Sequence, residues 1–289
     1  MTDSLVIPPR FCGPPGSGNG GYVCGRIAAY VDGPATVTLR RPPPLATPMT
    51  LGRADGSGVR IYHGRTLIAE AASSPGSQAR PIPGPVSMAD AHAAAGGARY
   101  YADPVFPGCF VCGTGRGPGD GLRIFPGPLA GRPLWAAPWA PDPSVADADG
   151  RVRPEVVWAA LDCPSGIAAA DAADLARDTA ILLGRMTASL EVPPMAGDQC
   201  MVIAWPGGRD GRKLEAGSAL LGPGGTVLAA ASAVWLTVPR PVPALAAEGP
   251  PRVRPVTTGP PRPRPSAAPG AARDPWGALQ GRTAGRRPP

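Results

Sequence analysis

The chain has 289 residues, which at roughly 100–200 residues per domain admits two domains or one large one. Its 40 Gly and 42 Pro signal low-complexity stretches, while 43% hydrophobic residues leave material for a sizeable core. The net charge of +7 resides in residues 240–289, where nine arginines stand against Glu248 and Asp274. The body is therefore neutral and gives no basic footprint for a specific nucleic-acid partner. No apolar run reaches the 18 or so residues of a membrane span; the longest, 226–238, is shorter and contains Ser and Thr. The start, MTDSLVIPPRF, lacks a charged n-region and a long apolar h-region. Six cysteines are too sparse for a disulfide scaffold, which suits a reducing, cytoplasmic setting. With only His63 and His92, His-rich metal sites and most His-based triads are excluded.

In chain order, Asn19 reads as the N-cap of a helix that opens at Gly20-Gly21. Val23, Ile27, Tyr30 and Val31 fall at helical spacing, and Gly33-Pro34 closes the segment. A strand over 36–39 ends near Pro42–Pro44, since Pro belongs at strand ends and bends. A Gly-rich turn and another strand follow within 64–73, and His92 falls in a linker. Cys109-Phe-Val-Cys112 is the single C-x-x-C pair. A structural zinc needs four ligands, no second pair exists, and Cys163 and Cys200 lack the spacing. No metal and no cofactor is therefore expected, and these thiols read as buried structural residues.

Pro154 suits a first helical position and Glu155 a first turn, with Val157, Ala160 and Leu161 as an apolar face. Pro164 should kink that helix and free one backbone carbonyl. Strands over 201–204, 213–221 and 226–238 are joined by Gly- and Asp-rich turns suited to antiparallel pairing. The last fifty residues hold 13 prolines, several in Pro-Arg pairs, and predict a disordered tail. That tail is a solvated appendage or a polybasic contact for an anionic partner.

The chain carries an internal repeat. Residues 36–51 align without gaps on 187–202, matching Thr36, Leu39, Pro42 and Pro43 to Thr187, Leu190, Pro193 and Pro194. Residues 64–73 align on 224–233, matching Gly64, Thr66, Ala69 and Ala71 to Gly224, Thr226, Ala229 and Ala231. Each half thus reads as a helix followed by antiparallel strands, an α+β layer arrangement.

This order of motifs resembles the hotdog-fold acyl-CoA thioesterases, specifically a tandem double-hotdog chain. GCFVCGTGRGPGDGLRIF (108–125) resembles the opening strand of that superfamily, and VWAALDCPSGIAA (157–169) its central helix. GRMTASLEVPPMAGDQ (184–199) and residues 211–238 resemble the strands that wrap the helix. The likeness covers roughly 11–74 and 104–238. It implies two helix-in-sheet units in one polypeptide, at 1–95 (with linker) and 96–239, ahead of the tail at 240–289. It also implies an acyl-CoA partner at their interface; a homo-oligomer of such double chains stays open.

Thioester hydrolysis needs a carboxylate or an activated water, and donors for the oxyanion. The carboxylate position that the resemblance implies falls on Asp162. The matching helix start in that half is Arg153-Pro154-Glu155, and Pro154 has no N–H to donate. The first half shows the reverse: Gly20 and Gly21 keep donors at the helix start, while Ile27 and Ala28 stand where an acid would be. A composite site is expected, with Asp162 as general base or nucleophile and the Gly20 and Gly21 amides as oxyanion donors. Losing one such donor costs about 3–4 kcal/mol of transition-state stabilisation. Asp162 has a purely structural alternative within its helix, and the two glycines an alternative in close helix packing. Asn19, Arg212 and Lys213 are the expected substrate-binding residues, the last two as phosphate holders or a solvated turn. A non-catalytic acyl-CoA binding module is the competing reading.

Overall fold

Two helices packed against each other and against one antiparallel sheet organise the computed structural model, which describes residues 4–54, 58–74 and 81–241. In chain order the elements are β1 (Ser4–Leu5), α1 (Gly20–Ala28), β2 (Ala35–Leu39), β3 (Met49–Arg53), β4 (Val59–His63), β5 (Thr66–Ser73) and α2 (Met88–Ala94). They continue with β6 (Gly127–Pro128), β7 (Trp135–Trp139), α3 (Pro154–Ala172), β8 (Thr179–Leu190), β9 (Cys200–Asp210), β10 (Lys213–Leu221) and β11 (Val227–Pro239). The described strands form one sheet in the order β1-β3-β4-β5-β2-β8-β11-β10-β9-β7-β6. The described residues form one compact unit.

The repeat seen in the sequence is a repeat of register. Thr36 on β2 faces Ala72 on β5, as Thr187 on β8 faces Ser232 on β11. Leu39 faces Ala69, as Leu190 faces Ala229. The two sets of strands meet where β2 pairs with β8, and there Thr36 stands opposite its repeat partner Thr187 with hydroxyls 2.8 Å apart. Gly64 and Gly224 both hold a positive φ (59° and 77°) in the turns before β5 and β11, a conformation that favours glycine.

Helix α3 begins at Pro154, as its fixed φ and missing N–H favour. It continues unbroken through Pro164 to Ala172. Fourteen of its residues, from Val156 to Ala169, are buried, and this packing outweighs the local cost of an interior proline. Beside the interruption, Ser218 on β10 donates to the Leu161 carbonyl at 2.8 Å, and Ser165 to the Asp162 carbonyl at 2.7 Å.

Three expectations change. Helix α1 stops at Ala28, so Tyr30 lies in the following turn and is exposed rather than on the apolar face. Residues 108–125 form turns, not an opening strand, because the backbone closes locally: Gly113 N–H on the Cys109 carbonyl (2.9 Å) and Leu122 N–H on that of Phe110 (2.8 Å). The linker holds a helix of its own, α2, capped by Ser87, with Ala91 buried against the sheet. The expected tail lies outside the described residues from 242 onward. Arg240, at its head, is fastened to the Asp103 carboxylate at 2.6 and 2.8 Å.

Candidate active site

The contact between α1 and α3 builds the site. A Cβ on Gly21 would lie 2.4 Å from Cβ of Asp162, and one on Gly25 would lie 2.5 Å from Cα of Glu155. Both positions must be glycine for the helices to approach this closely. Gly20, by contrast, faces β8, where a Cβ would meet Leu183 at 2.9 Å. The crossing brings Asp162 on α3 against the start of α1.

Asp162 is 1% exposed. Its Oδ2 accepts from the Gly21 N–H at 2.9 Å and from the Asn19 side-chain amide at 2.9 Å. Asn19 also caps α1, its Oδ1 accepting from the Tyr22 N–H at 2.9 Å. One buried asparagine thus fixes both the helix start and the acid. Oδ1 of Asp162 is buried and has no partner among the described residues. Burial pushes the carboxyl up to about 7, with the Gly21 N–H and Asn19 pulling in the opposite direction.

A cavity of about 300 Å³ opens beside this carboxylate. Asn19, Gly20, Asp162, Cys109, Cys112 and Cys163 line its polar side. Ile167, Leu175, Ile181, Leu182 and Trp235 supply an apolar wall. Trp235 is held in place by its Nε1–H, which donates to Ser165 Oγ at 3.0 Å. Charged Arg99, Asp103, Arg177 and Arg240 border another part of the cavity, with Arg99 and Arg177 exposed.

The structure joins some sequence-predicted residues and separates others. Asp162, Asn19, Gly20 and Gly21 meet across the two halves, and Gly21 donates directly to Asp162 rather than standing free as an oxyanion donor. Gly20, the first residue of α1, lines the cavity beside Asp162. Arg212 and Lys213 stand away from the cavity wall. Arg212 lies in the β9–β10 turn and Lys213 is the first residue of β10; both are exposed, with Lys213 3.9 Å from Asp210. The sequence missed the convergence of Cys163 on Cys109, at 3.6 Å between sulfurs, because chain spacing is blind to a contact 54 residues apart.

No known family model matches the chain, and no curated protein matches it. Solved structures do. A candidate thioesterase II from Thermobifida fusca YX is 12% identical, with a TM-score of 0.52 over 81% of this chain and 91% of its own. The acyl-CoA thioesterase II TesB2 of Mycobacterium marinum is 13% identical, with a TM-score of 0.52 over 82% and 92%. A candidate thioesterase from Novosphingobium aromaticivorans DSM 12444 is 13% identical, with a TM-score of 0.50 over 81% and 94%. No helix among the described residues is long and apolar enough to cross a membrane. In fold the chain is similar to thioesterases of the tandem hotdog type, as the order of its motifs indicated.

Proposed function

We propose that the chain is a thioesterase-like protein that hydrolyses an acyl-CoA in the cavity between two hotdog units arranged as an intramolecular pseudo-dimer. The matched registers on either side of the β2–β8 seam, with Thr36 opposite Thr187, support the two-unit arrangement. The observation that carries the chemistry is Asp162. It is a buried carboxylate on the cavity wall with one oxygen held by the opposite half and the other without a protein partner among the described residues.

In this reading the acyl chain lies along Ile167, Leu182 and Trp235. The thioester carbonyl faces the Gly20 N–H at the start of α1, where the helix dipole favours a developing negative charge. Asp162 Oδ1 accepts a proton from water as the water oxygen bonds to the carbonyl carbon. The C–S bond then breaks, and the CoA thiolate takes the proton back from Asp162. Asn19 and Gly21 act as positioning groups that hold the carboxylate.

The commitment of the Gly21 N–H to Asp162 favours a second reading, acyl-CoA binding without turnover, since one oxyanion donor fewer remains. A panel of acyl-CoAs of graded chain length, followed by thiol release and by calorimetric binding, separates the two. Hydrolysis abolished in Asp162→Asn with binding retained supports the enzyme. Binding with no thiol release in either protein supports the module. Neither binding nor release overturns both.

A further inference from the structure

We propose that Cys109, Cys112 and Cys163 form a zinc site in the wall of the cavity, with its fourth coordination position open to the cavity. The three sulfurs all lie within 4.8 Å of one another, and those of Cys109 and Cys163 are 3.6 Å apart. A tetrahedral zinc with Zn–S bonds of about 2.3 Å holds its sulfurs about 3.8 Å apart, so closing the cluster needs shifts of no more than about 1 Å.

The local chain is shaped for such a site. In Cys109-Phe-Val-Cys112-Gly113 the Gly113 N–H returns to the Cys109 carbonyl at 2.9 Å. A Cβ on Gly113 would lie 2.3 Å from that carbonyl oxygen, so only glycine permits a turn tight enough to bring both thiols to one side. The Asn19 amide stands 3.6 Å from the Cys163 sulfur and 3.9 Å from that of Cys109. N–H donors around thiolates are the outer partners that orient and stabilise metal ligands.

Packing alone accounts for a solitary buried thiol such as Cys24. It does not explain three sulfurs from a loop and a helix converging on a cavity that they line. None of the six cysteines forms a disulfide. Three protein ligands with an open position is the arrangement of zinc sites that also bind an exogenous group, here water or a ligand sulfur. On binding, three S–Zn bonds replace three S–H bonds and three protons pass to solvent, so uptake weakens as pH falls.

The test uses the full chain, purified under reducing conditions, loaded with zinc and passed through gel filtration. Elemental analysis is expected to show one zinc per chain. The cobalt-substituted chain should show thiolate-to-cobalt charge-transfer absorption, reduced by about a third in Cys163→Ser and unchanged in Cys200→Ser. A chain that leaves the column without zinc, or a cobalt spectrum without thiolate absorption, overturns the site, and neither measurement depends on a variant that must fold. A spectrum indifferent to Cys163→Ser does so too. Because nothing is read from hydrolysis, an inactive chain that holds zinc refutes only the thioesterase reading.

Discussion

Replacing Asp162 by Asn removes one ionisable group at almost constant volume, so the pH dependence of stability reports the environment of the carboxyl. In the unfolded chain the group titrates at its ordinary value of 3.8, and in the folded chain at about 7. Between those values the native state binds more protons than the unfolded state, so stability falls as pH rises from about 4 to about 7 and is flat beyond. Each pH unit of that interval corresponds to about 1.4 kcal/mol, so the native protein forgoes about 4 kcal/mol by about pH 8. The substituted amide carries no charge and keeps an oxygen to accept from Gly21 and Asn19. Denaturant unfolding of both proteins, with a chelator present to keep the thiol cluster empty, is the assay. The variant should match the wild type near pH 4 and exceed it by up to about 4 kcal/mol near pH 8. Parallel stability curves, or a variant weaker at high pH, would refute the claim that Asp162 is a desolvated acid retained at the expense of stability.

Gly25→Ala forces a methyl to within 2.5 Å of Cα of Glu155 and must push α1 off α3; a stability loss of about 1–3 kcal/mol is expected by thermal unfolding, with acyl-CoA hydrolysis falling as Gly20 and Asp162 separate. Asn19→Ala removes a helix cap and the amide that helps keep Asp162 ionised. Stability should drop by about 1 kcal/mol, and the acid limb of the pH–rate profile should move upward. Arg212→Ala and Lys213→Ala alter an exposed turn away from the cavity, so KM for acyl-CoA should stay unchanged and stability should remain within about 0.5 kcal/mol.

What the sequence disclosed was local or periodic. Pro154 marked the start of α3, Asn19 the start of α1, and the Thr36/Thr187 repeat carried the pairing register of both sheet halves. Each of these signals is written within a few residues. The chemistry that depends on distant contacts was only partly readable. Resemblance linked Asp162 to the glycine turn, but the 2.9 Å bond from Asn19 spans 143 residues and leaves no trace in spacing. The approach of Cys163 to Cys109, 54 residues away in the chain, is equally invisible in spacing. For Arg212 and Lys213 the sequence left two readings open, because positive charge beside a strand looks alike whether it faces a ligand or water. Pro164 was legible as an interior proline, but the burial that offsets its helical cost comes from distant strands and is written nowhere near it.

The most direct test of the hydrolytic site is a crystal structure of the full chain with an acyl-CoA analogue whose thioester sulfur is replaced by methylene, which keeps the carbonyl and cannot be cleaved. The carbonyl oxygen should lie about 3 Å from the Gly20 nitrogen, with Asp162 Oδ1 one water away from the carbonyl carbon and the acyl chain against Ile167 and Trp235. A carbonyl bound away from the start of α1, or an acyl chain outside this cavity, would contradict it.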